Sequence, residues 1–284
     1  MAIAKSTETE LENLKQKWIK EQLYSRQFTV LKDPEWLAAR LVSGDLLVGG
    51  MDISFSQKRA NFAVAALAIV ELKSLKVVHQ VTKEVELDVP YIPTFLGFRE
   101  VGPFEELVKS VKLEHPEFMP HVLMVDGNGT LHPRRFGSAC QLGCRLGQPT
   151  IGVAKNLLNV TEGNHDQHEP RLAKLSEKQM AKLKHSGDRL EILDENGGIC
   201  GWALLSCDKA KNPVYVSPGH LISMETACEV TCKMSIFRVP EPTRMADIIS
   251  RQRIAELEDN SGELSKGTLR ACNPHHVSSS KNYK

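Results

Sequence analysis

Val125-Asp126-Gly127-Asn128-Gly129-Thr130-Leu131-His132-Pro133-Arg134-Arg135-Phe136-Gly137 decides how the chain folds. The stretch follows the apolar run Val122 to Val125 and precedes a segment, Phe136 to Leu146, with helical spacing. It reads as a strand that ends on a carboxylate and opens into a glycine loop. An ionised carboxylate at the end of a buried strand is costly to desolvate unless a cation or hydrogen-bond donors compensate. Gly127 and Gly129, lacking a Cβ, let the backbone approach a ligand closely. An ordinary strand-to-helix turn carries the same glycines, so the neighbouring segments have to decide between the two.

Upstream, Leu46 to Phe55 (LLVGGMDISF), Phe62 to Val70 and Lys76 to Val81 are apolar runs joined by short polar turns, which predicts an antiparallel three-strand meander. Asp52 interrupts the first run behind Gly49 and Gly50, which suggests that something approaches the backbone there. Pro90-Tyr91-Ile92-Pro93 forms a stiff corner, followed by helical material over 94–101 and, beyond a break at Gly102-Pro103, over 104–113. Glu100 lies near that break. A helix between the meander and the strand at 121–126 is a crossover, so this strand runs parallel to its neighbour. If that neighbour is the first strand, Asp52 and Asp126 lie side by side. Thr150 to Ala154 predicts a further strand, with Lys155 at its carboxyl end, where open α/β sheets place ligands.

The flanks complete an α/β architecture, with one domain expected over residues 1–257. Residues 7–27, with Thr7 and Glu10 as a capping box, predict an amphipathic helix. Residues 159–188 are polar and suggest a surface insertion. A hairpin is expected over 190–193 and 199–205, a short strand over 214–216 closed by Gly219-His220, and a helix over 223–235. Pro242 opens a last helix with Asp247 near its start. Beyond Leu257 periodic apolar residues cease, which predicts a disordered tail over 258–284.

Composition sets limits on function. Of the 284 residues, 41% are hydrophobic and 25% charged, with a net charge of +1, so nucleic-acid binding would have to rest on a local patch. No apolar run is long enough to span a membrane, and the start lacks the features of a leader, so cytoplasm or nucleus is expected. Seven cysteines show no disulfide framework. Cys140/Cys144 and Cys228/Cys232, each one helical turn apart, are expected to be core thiols.

Asp52, Glu100, Asp126 and Asp247 lie on four separate elements and would converge in one mixed sheet. Clustered carboxylates suit a hard divalent ion. With GGMDISF, VPYIPTFLGFRE, VDGNGTLHPRRFG, IGVAKNLL, SPGH and ADIISR in this order, the chain resembles the endonuclease V family from about Gly49 to Arg251. The resemblance implies a ribonuclease H-like fold, a central mixed sheet flanked by helices. It implies a metal-dependent nuclease that hydrolyses the second phosphodiester 3′ to inosine. Asp52, Asp126 and Glu100 would hold Mg²⁺, with Mn²⁺ able to substitute, and Lys155 would stabilise phosphate charge. His220 would contact the phosphate or shuttle a proton, and Asp247 would orient it or bind a second metal through water. Pro90, Tyr91, Ile92 and Pro93 match the family's wedge, and Gly127, Gly129, Gly152, Leu96 and Leu158 are candidates for the base pocket. Thr94 departs from the pattern, since many relatives have glycine there. The insertion and long tail resemble animal-type members, implying a monomer acting on single-stranded RNA containing inosine and on deoxyinosine-containing DNA. A non-cleaving inosine-RNA reader and another ribonuclease H-like nuclease, such as a junction resolvase, are the alternatives.

Overall fold

The apolar runs become neighbouring strands in the computed structural model, which describes residues 2–158, 172 and 174–264. In chain order the elements are helices α1 (Ala2–Arg26) and α2 (Glu35–Ser43), then strands β1 (Leu47–Phe55), β2 (Phe62–Glu71) and β3 (Val77–Glu86). Helix α3 (Gly97–Glu114), strand β4 (Val122–Asp126), helix α4 (Ser138–Leu146) and strand β5 (Thr150–Ala154) follow. The one-turn helix α5 (Glu177–Met180), strands β6 (Arg189–Leu193), β7 (Ile199–Leu204) and β8 (Val214–His220), and helices α6 (Met224–Lys233) and α7 (Glu241–Leu264) complete the described chain.

All eight strands join one sheet in the order β3-β2-β1-β4-β5-β8-β7-β6. β1, β4 and β5 are parallel, and the remaining pairings are antiparallel. The meander and the parallel crossover are therefore as the sequence predicts. Alternation along each strand supplies two apolar faces. Met51, Leu67, Leu123 and Val125 pack with Val101, Phe104 and Leu107 of α3 and Ala139 and Leu142 of α4. On the opposite face Val48, Val122, Met124 and Ile151 pack with Leu37 and Leu41 of α2 and Ala227 and Val230 of α6. Cys140 and Cys228 are buried, as expected of core thiols, whereas Cys144 and Cys232, one helical turn on, are only partly buried.

Several boundaries differ from the sequence reading. α1 starts at Ala2, upstream of the capping box expected at Thr7, and α2 was not foreseen. α3 runs through Gly102-Pro103 without a break, because Val101, Phe104, Leu107 and Val108 on both sides of the proline are buried against the sheet. That burial outweighs the one helical hydrogen bond that proline forgoes. α7 continues to Leu264, past the boundary expected at Leu257. Leu257 packs against Phe62, Val64 and Ile254, and Glu258 accepts from Ser56 Oγ at 2.5 Å and faces Lys58 Nζ at 3.5 Å. The rest of the expected tail, 265–284, and the first part of the expected insertion, 159–171, with residue 173, lie outside the described residues.

The first turn of α7 presses directly onto β1. A Cβ on Gly50 would lie 1.9 Å from the carbonyl carbon of Pro242, so no side chain fits there. Gly50→Ala is therefore expected to push the start of α7 away from the sheet and to cost about 1–3 kcal/mol, as overpacking does. A urea midpoint equal to that of the parent would show that the contact is softer than this geometry requires.

Candidate active site

Parity along the strands gathers the acids on one face. Val48, Val122 and Ile151 belong to the α2, α6 and α7 side, and alternation carries that side to Asp52, Asp126 and Lys155. Register aligns Met51 with Val125 and Asp126 with Val153, so Asp52 lies beside Asp126 and Lys155 just beyond it. Lys155 Nζ meets Asp126 Oδ2 at 2.6 Å. Asp247 comes from α7, held by Arg251 Nε at 2.8 Å. Glu100 enters from the first turn of α3, and it is buried.

Electrostatics within this group is adverse without a cation. Burial, then repulsion from Asp126 and Asp247, pushes the Asp52 carboxyl up to about 7. Burial, then Asp52 and Asp126, pushes Glu100 up to about 8. Burial disfavours the Lys155 ammonium, but the ion pair with Asp126 and the fields of Asp247 and Asp52 outweigh it and raise its pKa. Among the described residues no three acids, histidines or cysteines already close around one point, the lysine standing against Asp126 instead. The donor chemistry is nevertheless all carboxylate oxygen, which fits a hard divalent ion.

A cavity of about 120 Å³ adjoins the acids and is lined in part by Asp126 and Glu100 themselves. Its scale is that of the roughly 150 Å³ cavities that take up one aromatic ring. Leu96, Gly127 and Leu158 line it, as the sequence suggests, together with Thr94, Gly97, Asn128 and His132. Gly129 and Gly152 do not. A Cβ on Gly152 would lie 2.3 Å from Gly129 N, and one on Gly129 would lie 2.2 Å from Pro218 O. Their missing side chains let the glycine loop lie flat on β5 and β8, which shapes the cavity from behind.

The proline corner forms the facing wall. Tyr91 is 64% exposed, whereas Ile92 and Phe95 pack on Trp18 of α1. Thr94 has φ +71°, a left-handed conformation that a β-branched residue adopts only when its surroundings impose it. Here they do. Its carbonyl accepts from His132 Nε2 at 2.8 Å and from an Arg134 guanidinium nitrogen at 2.9 Å, and its Oγ1 accepts from Arg134 at 2.6 Å. The departure from glycine noted in the sequence falls at a position whose backbone favours glycine.

His220 is not brought to the acids. It pairs with Thr150, at the amino end of β5, while Lys155 follows the carboxyl end. Four residues of strand separate the two ends, about 13 Å. Its Nδ1 accepts from Val30 N at 3.2 Å and lies 3.6 Å from Cys144 Sγ. The site role expected for His220 is thereby corrected to an anchoring one, since strand direction sends SPGH away from the acidic end. Conversely, His132, Arg134 and Gln22 enter the site without having been singled out. His132 and Arg134 sit inside the glycine stretch, a signal that was available. Gln22, on an outer helix, had none.

The acids thus gather at the carboxyl edge of a mixed sheet, beside a ring-sized cavity. The family profile described as Endonuclease V matches residues 38–248. Human endonuclease V is 40% identical over 238 residues, 84% of this chain and 82% of the human protein. The crystal structure of human endonuclease V superposes with a TM-score of 0.76 at 39% identity, covering 86% of this chain and 99% of that one. Endonuclease V of Ciona intestinalis, crystallised with a 24mer DNA containing an inosine followed by a ribo-adenosine, gives 0.76 at 30% identity over 87% and 99% of the two chains. The chain belongs to the endonuclease V family.

The raised carboxyl pKa values make stability depend on pH. Asp52 and Glu100 hold their protons to higher pH when folded than when unfolded, so their contribution is present below the ordinary carboxylate range and lost as pH rises to about 7 and about 8. In chelator the urea midpoint is expected to fall between about pH 5 and about pH 8, and Asp52→Asn combined with Glu100→Gln to flatten that fall. An unchanged slope in the double variant would contradict the assignment.

Proposed function

We propose that this chain is an inosine-directed, metal-dependent endonuclease that hydrolyses the second phosphodiester 3′ to inosine in single-stranded RNA and in deoxyinosine-containing DNA. The observation that carries this reading is that the ring-sized cavity and the acid cluster share Asp126 and Glu100. A base held in the cavity keeps its own strand against the acids. The inosine-bearing DNA seen with the Ciona relative, at 30% identity, supports the base assignment.

Asp52, Asp126 and Glu100 would hold Mg²⁺, or Mn²⁺ in its place. When bound, the ion supplies Lewis acidity at the phosphate and a water acidic enough to attack near neutral pH. Lys155, already at the carboxyl edge, would place its ammonium where negative charge develops. Asp247, restrained by Arg251, would orient the attacking side. In-line attack of water on phosphorus breaks the bond to the 3′ oxygen and leaves 3′-hydroxyl and 5′-phosphate ends, with no need of a 2′-hydroxyl. Preference for RNA would then reside in binding. Gly97, Gly127 and Gly137 leave backbone open to the cavity beside the polar side chains of Asn128 and Ser138, which suits discrimination of hypoxanthine from guanine by the missing amine and from adenine by the keto oxygen. Exposed Tyr91 would stack in the gap left by the extruded base.

Asp52→Asn and Asp126→Asn are each expected to abolish cleavage while inosine-RNA binding persists, as seen by denaturing gels and a mobility shift. Binding without any cleavage by the parent in Mg²⁺ would favour the silent reader instead. Products ending in 2′,3′-cyclic phosphate, or activity undiminished by EDTA, would remove the acid cluster from the chemistry. Tyr91→Ala is expected to weaken strand binding by about 1–3 kcal/mol, the usual worth of one stacked base, with kcat little changed. Parental affinity in that variant would dismiss the wedge.

A further inference from the structure

Gln22 belongs to α1, which contributes no acid to the site, yet its side chain sits where the two loops walling the cavity meet. It is 2% exposed. Nε2 donates to the carbonyl oxygens of Thr94 at 3.1 Å and Phe136 at 3.2 Å, while Oε1 accepts from Arg134 Nε at 2.5 Å. One amide thus ties the proline corner to the glycine loop, and it lines the cavity as well. Apolar contacts reinforce the tie, since Trp18, one helical turn earlier, stacks on Phe98 at 4.7 Å and packs on Phe95 at 5.5 Å.

The corner needs such a restraint. Thr94 at φ +71° has its carbonyl fixed by Gln22, His132 and Arg134 together. His132 is kept neutral by burial, then by the Arg134 charge, which push its pKa down to about 3, so it is not a proton carrier near neutral pH. Gln22 alone among these three reaches in from outside the glycine loop.

We propose that Gln22 is a positioning residue for base selection. Through Thr94 and Phe136 it sets the separation of the two cavity walls, and hence how tightly the base is gripped, without taking part in phosphodiester hydrolysis. The inference rests on the inosine-directed reading above.

Gln22→Glu keeps the shape of the side chain and its acceptor toward Arg134 but removes both N–H donors. Two buried carbonyls then lose a donor and the wall loosens. KM for an inosine-containing strand is expected to rise about tenfold, the usual scale for a lost buried donor, with kcat within about twofold of the parent. The preference for inosine over guanosine in the same strand should narrow. Thr94→Gly, which adopts positive φ unaided, should recover part of the KM when combined with Gln22→Glu. A helix that merely stabilised the fold would lower the unfolding midpoint without altering KM of the folded enzyme, and glycine at position 94 would restore nothing. Should Gln22→Glu fold poorly, Gln22→Met removes the same two donors without a buried charge, though it also removes the acceptor for Arg134 Nε. Parental KM and parental inosine-to-guanosine ratio in a folded variant overturn the proposal, as does a loss confined to kcat. A parent that cuts inosine and guanosine strands alike overturns the functional reading itself, and this inference with it.

Discussion

Two carboxylates on adjacent parallel strands repel each other, and much of the molecule is arranged so that Asp52 and Asp126 stay adjacent all the same. The register of β1 on β4 is held by apolar packing on both faces of the sheet, from α3 and α4 on one side and from α2 and α6 on the other. That burial supplies the free energy against which the local repulsion is tolerated, and it also worsens the repulsion by removing water. α7 adds a further acid by resting on Gly50, and α3 adds Glu100 from its buried first turn. Stability is given up at one edge of the sheet, as expected where acids are gathered to hold a cation.

The cavity beside the acids follows a different principle. Its walls are two loops, and loops hold shape only when their backbone groups are satisfied. The glycine loop achieves this by lying on β5, where Gly152 offers no side chain, with Gly129 N donating to Ser217 Oγ at 2.9 Å. The proline corner achieves it through Thr94, whose left-handed backbone is secured from three directions. Strain at Thr94 and repulsion among the acids therefore lie side by side, both sustained by contacts outside the site.

No helix among the described residues is long and apolar enough to cross a membrane. The exposed Tyr91 and the half-exposed Lys155 are the groups of the site that reach toward solvent, consistent with a strand entering from the carboxyl edge of the sheet.

The sequence by itself determined the strands, the parallel crossover and the acidic residues, because those features depend on local alternation, on chain connectivity and on residue type. Gly49 and Gly50 also signalled that something approaches the backbone there, and the structure shows it to be Pro242 against Gly50. Only the tertiary structure decided that SPGH points its histidine away from the acids, since the direction of β8 depends on which strand it pairs with. It likewise carried α3 through Pro103 and α7 past Leu257, where burial against distant residues outweighs local propensity. Gly129 and Gly152 proved to shape the cavity from behind instead of lining it, and Gln22 reached it from an outer helix. Neither arrangement leaves a local mark, because a hydrogen bond between residues 72 or 114 positions apart has no periodicity to read.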